Sequence, residues 1–342
     1  MSQTDNTIFV SIASYRDPEC QWTIKNLFEN ADQPDNVYIG VCWQYDMKDN
    51  QDQQCFVYTS DRFDKQVRRI DLHFTEAKGP CLARHLAQTL WKDEKYFLQI
   101  DSHMRFIKGW DSKLIEMIEQ CPLSKPIITC YPMGYTLPNN VPKHTYPTVL
   151  VADRFAEDTM IRMTGKLISK PLKQPFTSRF WVSGFSFSSS AVIKEVPYDP
   201  HLDHLFFGEE MIMTARLWTS GWNFYSPPIA LVFHLWKRDY RTTFRDDCST
   251  PVHQAIQKEK EQQSRNRINH ILQNQVTANL DTESIHYSLG SERTLEQYKQ
   301  FSGVDLIKKE INQFAKLGGM HESDFLNSII ELAIKSQQGV PI

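Results

Sequence analysis

A chain of 342 residues with 41% hydrophobic and 12% aromatic content can bury a large core and is long enough for one big domain with a smaller companion. A formal net charge of −3 removes any global electrostatic reason to expect nucleic acid or an anionic membrane as partner, so an anion must be held by local cations. The apolar runs are too short to span a bilayer and the N-terminus lacks a basic stretch and a long apolar core, so a cytoplasmic protein with no membrane span is expected.

From the N-terminus, "TIFVSIAS" (7–14) reads as a buried strand and "PECQWTIKNLFENA" (18–31) as a helix with Trp22, Leu27 and Phe28 near helical spacing. "NVYIGVCW" (36–43) and "VRRIDLHF" (67–74) are the next strands. Gly79-Pro80 then opens a helix whose Leu82, Leu86 and Leu90 share one face, and "KYFLQI" (95–100) is the fourth strand. This alternation predicts an α/β fold, a doubly wound and mainly parallel sheet whose ligands bind beyond the carboxyl ends of the strands.

Further on, "GWDSKLIEMIEQC" (109–121) predicts a helix and "PIITCYP" (126–132) a strand. Residues 133–180, rich in Pro, Gly and Lys with little periodicity, predict a long substrate-binding or lid loop. "RFWVSGFSFSSS" (179–190) reads as a strand, "FGEEMIMTARLWTSGW" (207–222) as a helix closed by Gly221, and "IALVFHLW" (229–236) as a strand. Polar helices follow, in 251–275, in "SERTLEQYKQFSG" and in the last thirty residues. A main domain of residues 1–245 with a helical extension of 246–342 is therefore expected. Seven scattered cysteines without CxxC spacing suit reduced core thiols better than disulfides or zinc.

Chemistry concentrates after the fourth strand. In Asp101-Ser102-His103 the first and third side chains leave an extended backbone on the same side and can reach one ion. A hard oxygen with a neutral nitrogen suits manganese better than calcium, and magnesium less comfortably. Two protein ligands are too few, and His234 in "ALVFHLW" is the candidate third. The competing reading is plain: a lone histidine in an apolar strand is usually a satisfied core residue, and Asp-x-His triplets occur by chance.

Arg16, Lys78, Arg84, Lys237 and Arg238 lie near the predicted strand ends, where each alone suits a solvated surface and together they suit a diphosphate. Such a set beside a metal fits stabilisation of a nucleotide leaving group. Glu209 and Glu210 either complement a helix dipole or bind sugar hydroxyls and position an acceptor. Among the many aromatic residues of this half, Trp181 is the candidate platform for a sugar or acceptor face.

"IFVSIASYRDPEC", "AKGPCLARHLAQTLW", "YFLQIDSHMRFIKGWD", "FFGEEMIMTARLWTSGW" and "SERTLEQYKQFSG", in this order, resemble the GlcNAc transferases of glycosyltransferase family 60, over roughly residues 7–305. Characterised members modify a hydroxyproline of a cytoplasmic protein. The resemblance implies a GT-A fold, a UDP-GlcNAc donor, a divalent cation (Mn2+ or another such as Mg2+), retention of configuration, and a hydroxyl-bearing protein or glycan as acceptor.

A more distant similarity to the polypeptide GalNAc transferases implies that Asp101, His103 and His234 hold the metal against the UDP diphosphate. By the same likeness Ser14, Tyr15 and Arg16 lie against the nucleotide with Arg84 close to the donor; Lys78, Asp101, Ser102, Trp181 and Gly184 complete the candidate nucleotide-sugar site, and Glu209, Glu210 and Arg84 are the catalytic candidates. A retaining reaction needs no dedicated base, whereas an inverting one would turn first to Glu209 or Glu210. The alternatives are a non-catalytic nucleotide-sugar-binding protein and a metal-dependent phosphoesterase, which would want a two-metal cluster of acids and histidines.

Overall fold

The β-branched, apolar run Ile8–Tyr15 is buried at all but Ala13 and Tyr15 and forms β1 near the middle of an eight-stranded sheet. The computed structural model describes residues 6–58, 62–273 and 286–330. After β1 come α1 (Glu19–Asn30), β2 (Val37–Tyr45), β3 (Val67–His73), α2 (Pro80–Gln88) and β4 (Tyr96–Asp101), in the order expected. β5 (Met104–Phe106), α3 (Trp110–Gln120), β6 (Pro126–Thr129) and β7 (Met133–Gly134) follow. Then come β8 (Thr148–Phe155), β9 (Ile161–Ile168), β10 (Phe176–Thr177), β11 (Phe185–Ser189), α4 (Ala191–Glu195) and α5 (Glu209–Thr219). The described part closes with β12 (Asn223–Ser226), β13 (Val232–His234), α6 (Phe244–Asp247), α7 (Pro251–Gln273) and several short elements, among them the helix Leu295–Ser302.

The strand order is β10-β12-β6-β11-β4-β1-β2-β3. β4, β1, β2 and β3 run parallel, while β11 lies antiparallel to both of its neighbours. The sheet is thus mixed, and its parallel half brings the carboxyl ends of β1, β2, β3 and β4 to one edge. Register fixes the alignment there: Ala13 pairs with Asp101, and Tyr15 with Gln44.

Two apolar clusters cover the sheet. One joins Ile8, Val10 and Ile12 to Leu27 and Phe28 of α1 and to Trp110 and Leu114 of α3. The other joins Phe9 and Phe97 to Met211 and Leu217 of α5, and also to Ile268 and Leu272 of α7 and to Leu295 and Tyr298. α7 and the helix Leu295–Ser302 therefore share the core of the sheet, each buried Ile or Leu contributing about 1.5–3 kcal/mol. The first half of α7 stays exposed, with Val252 and Ile256 on the surface.

Three expectations change. Residues 133–180 are not one long loop, because β8 and β9 pair as an antiparallel hairpin there. Arg, Lys and Gly interrupt the apolar alternation of β9 and hide it from a periodicity reading. The strand expected over 179–190 is confined to Phe185–Ser189. The strand expected over 229–236 shortens to Val232–His234 and joins β5 and β7 in a separate three-stranded sheet.

In the last thirty residues, helices Gln313–Lys316 and Glu322–Ser328 form, and residues 331–342 lie outside the described residues, as do 274 and 275 of the expected polar helix. All seven cysteines are free, and among the described residues no helix is long and apolar enough to cross a membrane.

Candidate active site

Asp101 ends β4, His103 sits between β4 and β5, and His234 ends β13, whose antiparallel register sets it opposite Met104. Leu235 N–H donates to the His103 carbonyl at 3.1 Å, so the two histidines arrive side by side through backbone pairing. Nε2 of His234 lies 3.1 Å from Asp101 Oδ2 and 3.1 Å from His103 Nε2. One ligand atom from each of the three residues falls within 4.8 Å of the others. Both histidines are buried, while Asp101 keeps a partly exposed carboxylate. A Cβ at Gly184 would stand 3.0 Å from Asp101 Oδ2, so the glycine leaves that carboxylate its room.

A carboxylate only accepts hydrogen bonds, which settles the His103 tautomer. Its Nδ1 donates to Asp17 Oδ2 at 2.7 Å, and Nε2 is left with a lone pair facing His234. Burial alone would raise the Asp17 carboxyl, but Arg241 and His103 hold it well below the usual range. Burial also pushes the His234 imidazole down to about 4, so it is neutral at physiological pH. For Asp101, the bond from His234 and the Arg84 guanidinium override burial and keep it ionised.

Lone pairs of Asp101 and His103 thus face one His234 nitrogen, which carries at most one proton. Two ligands at right angles about an ion with bonds of about 2.1 Å stand about 3.0 Å apart. One carboxylate oxygen and two imidazole nitrogens so arranged fit a divalent cation of the manganese type.

Arg84, from α2, donates to Asp101 Oδ1 at 2.8 Å and forms an ion pair with Glu209 at 2.9 Å, its own side chain only 5% exposed. Glu209 also accepts from the buried Tyr198 hydroxyl at 2.7 Å. Glu210 accepts from the Tyr131 hydroxyl (2.5 Å) and the Ser183 N–H (3.1 Å), and burial pushes its carboxyl up to about 7.

The native Glu210 therefore keeps its proton over a range in which the unfolded residue, at 4.5, has lost it. Its contribution to stability is complete below the lower value and is lost as pH rises through about 7. Glu210→Gln removes this slope. Between acid and mildly alkaline pH, denaturant titrations are expected to shift in the variant's favour by about 2–3 kcal/mol, and parallel pH profiles would refute it.

Trp181 is not a cleft platform. It is 2% exposed, its Nε1 donates to Ser186 Oγ at 2.8 Å, and its ring belongs to the core. The aromatic residue beside the cluster is Trp236, only partly buried, with its ring 4.1 Å from His234 and edge-on to Tyr131.

At the end of β1, Ser14 is buried and the Tyr15 hydroxyl donates to Asp247 at 2.6 Å. Arg16 donates to Asp247 (3.0 Å) and Asp52 (3.0 Å) and pairs with Asp49, so in this state its charge is answered internally. Lys78 and Lys237 are exposed. Arg238 is half-buried, and its Nε has no hydrogen-bond partner among the described residues. Ser102 donates to Asp17 rather than facing the cleft. Asp17, Tyr131, Tyr240, Arg241 and Asp247 are contacts that the sequence reading did not single out.

A family model described as glycosyltransferase (GlcNAc) matches residues 7–63 and 48–308. No curated protein sequence matches the chain. Among solved structures, GalNAc-T7 crystallised with UDP, GalNAc and Mn2+ aligns with a TM-score of 0.51 at 12% identity, covering 87% of this chain and 57% of that one. TarS 1–349 of S. aureus, in complex with UDP-GlcNAc, gives 0.44 at 14% identity over 82% and 78%. The chain spans a little over half the length of GalNAc-T7, and that likeness shows a shared GT-A type α/β fold. With the family match running from β1 to beyond the helix Leu295–Ser302, the chain belongs to the glycosyltransferase (GlcNAc) family.

Proposed function

We propose that this enzyme moves GlcNAc, or a close relative, from UDP to a hydroxyl of a protein or glycan, with retention of configuration. The observation that carries this reading is the meeting of Asp101, His103 and His234 beside Arg84, at the carboxyl edge of the parallel strands. These three would hold a divalent cation, Mn2+ by donor chemistry with Mg2+ as the harder alternative. When bound, the cation supplies positive charge against a departing diphosphate.

Arg84, clamped between Asp101 and Glu209, adds a fixed guanidinium at the same place. Arg238 is the cation with most to gain from a phosphate oxygen, being half-buried with an unanswered Nε. Ser14, Tyr15 and Arg16 are assigned to the nucleotide, whose arrival would displace the Asp247 carboxylate from Tyr15 and Arg16. Trp236 takes over the platform role first expected of Trp181. Lys78 is kept as an exposed cation assigned to the donor, and Gly184 as the gap that Asp101 needs.

In transfer with retention, the bond from the sugar's anomeric carbon to the phosphate oxygen breaks. The acceptor oxygen bonds on the same face, and its proton passes to the departing phosphate. No protein base is needed, and Glu209, tied to Arg84 and Tyr198, is not free to be one. Glu210, poised at about 7, orients sugar or acceptor hydroxyls instead. The same reading takes residues 1–245 as the catalytic body and 246–342 as its extension, acting in the cytoplasm, where seven free thiols are at home.

The test is UDP release from a panel of UDP-sugars, with and without Mn2+, beside Asp101→Ala. Release from UDP-GlcNAc that needs both the metal and Asp101 is expected. Release indifferent to both would remove the metal assignment, and binding without turnover across varied acceptors would leave a nucleotide-sugar-binding protein.

A further inference from the structure

Asp17 follows the turn after β1 and has no solvent exposure. Its two oxygens serve different parts of the molecule. Oδ2 accepts from His103 Nδ1 at 2.7 Å and Ser102 Oγ at 2.5 Å, and lies 3.5 Å from Arg241 Nε. Oδ1 accepts from the Glu19 N–H, at the head of α1, and from the Tyr240 hydroxyl, both at 3.0 Å. Arg241 also donates to the Tyr15 carbonyl at 2.8 Å. A single carboxylate therefore joins the β1–α1 turn, the Asp101–His103 segment and the stretch that follows His234. With donors on both oxygens it cannot turn without stranding some of them in the interior.

We propose that Asp17 is the positioning residue of this site, holding His103 in the tautomer that can ligate a metal and, through Tyr240 and Arg241, coupling residues 237–247 to that cluster. The proposal rests on the metal reading above. With its N–H turned to Asp17, the imidazole offers Nε2 as a lone pair toward Asp101 and His234. The other tautomer would offer an N–H, which cannot ligate. Asparagine at 17 has one accepting oxygen and one amide nitrogen, so either the His103–Ser102 side or the Glu19–Tyr240 side must face a donor.

The experiment uses the full chain. Mn2+ binding is measured by titration calorimetry for the wild type and Asp17→Asn, and the His103 ring 15N shifts, identified by their loss in His103→Gln, report the tautomer. Asp17→Asn is expected to bind Mn2+ about 10–100-fold more weakly and to lose the Nδ1–H signature, with turnover recovering as Mn2+ is raised. Trypsin supplies the second arm: Mn2+ should slow cleavage at Lys237, Arg238 and Arg241 in the wild type and much less in Tyr240→Phe.

Mn2+ binding by Asp17→Asn within twofold of the wild type, with the tautomer unchanged, overturns this proposal alone. A wild type that binds no Mn2+ overturns the metal reading and the proposal together. If Asp17→Asn does not fold, Tyr240→Phe decides, because equal Mn2+ protection in both proteins overturns the coupling.

Discussion

Arg84→Met is expected to destabilise the protein by about 3–5 kcal/mol, the cost of leaving buried charge without its partner. Arg84 holds two carboxylates at once, Asp101 at 2.8 Å and Glu209 at 2.9 Å, and Glu209 has almost no solvent to fall back on. Methionine fills much of the arginine volume, so the loss reports charge rather than a cavity. Arg84→Lys is expected to recover only part of it, because a point charge cannot reach both carboxylates as the planar fork does. The decisive measurement is a denaturant series on Arg84→Met, Glu209→Gln and the double variant. The double variant should be more stable than the sum of the single losses predicts, since Glu209→Gln removes the charge that Arg84 answered. Strict additivity, or a loss under about 1 kcal/mol for Arg84→Met, would show that the clamp holds nothing together.

His234→Ala is expected to lower UDP release by about 10²–10³-fold at fixed Mn2+, on the scale of losing one fixed contact that stabilises transition-state charge. The substitution leaves the backbone pairing of β13 with β5 and β7 intact, so the fold should persist. Because Asp101 and His103 remain, raising Mn2+ is expected to recover part of the activity. Steady-state UDP release against Mn2+ concentration reads both effects. Activity within tenfold of the wild type, with unchanged metal dependence, would make His234 the ordinary core histidine that its apolar strand suggests. Trp181→Phe is the contrasting control: a buried indole bonded to Ser186 should affect stability more than turnover.

The sequence carried the sheet well where one signal dominated. β1, β2 and β4 are apolar runs bounded by turns, and their order made the parallel half readable. Asp101 and His103 were legible because a polar triplet follows a buried strand directly, and His234 because an imidazole in an apolar strand must find a partner. The hairpin β8–β9 was not, since Arg162, Lys166 and Gly165 dilute the alternation that would mark it.

Trp181 misled for the opposite reason: among the crowded aromatic residues of this half it was the candidate platform, whereas Ser186 supplies the indole's partner inside the core. Arg16 reads as a free cation because Asp49, Asp52 and Asp247 reach it from loops that sequence spacing does not connect. Asp17 was hidden by its setting, for an aspartate just ahead of Pro18 and Glu19 reads as an ordinary helix cap. One of its oxygens does serve that end, and the other holds His103.

The cluster of Asp101, His103 and His234 also bears on the order in which this chain folds. Asp101 and His103 emerge early, but His234 is 131 residues beyond His103 and reaches it only when β13 docks against β5. A contact of such long sequence separation carries a larger loop-closure entropy than a local one. A chain ending before β13 lacks the cluster altogether. A cation that engages all three residues recognises only the finished molecule, so added Mn2+ should raise the melting temperature by an amount that grows with the logarithm of its concentration.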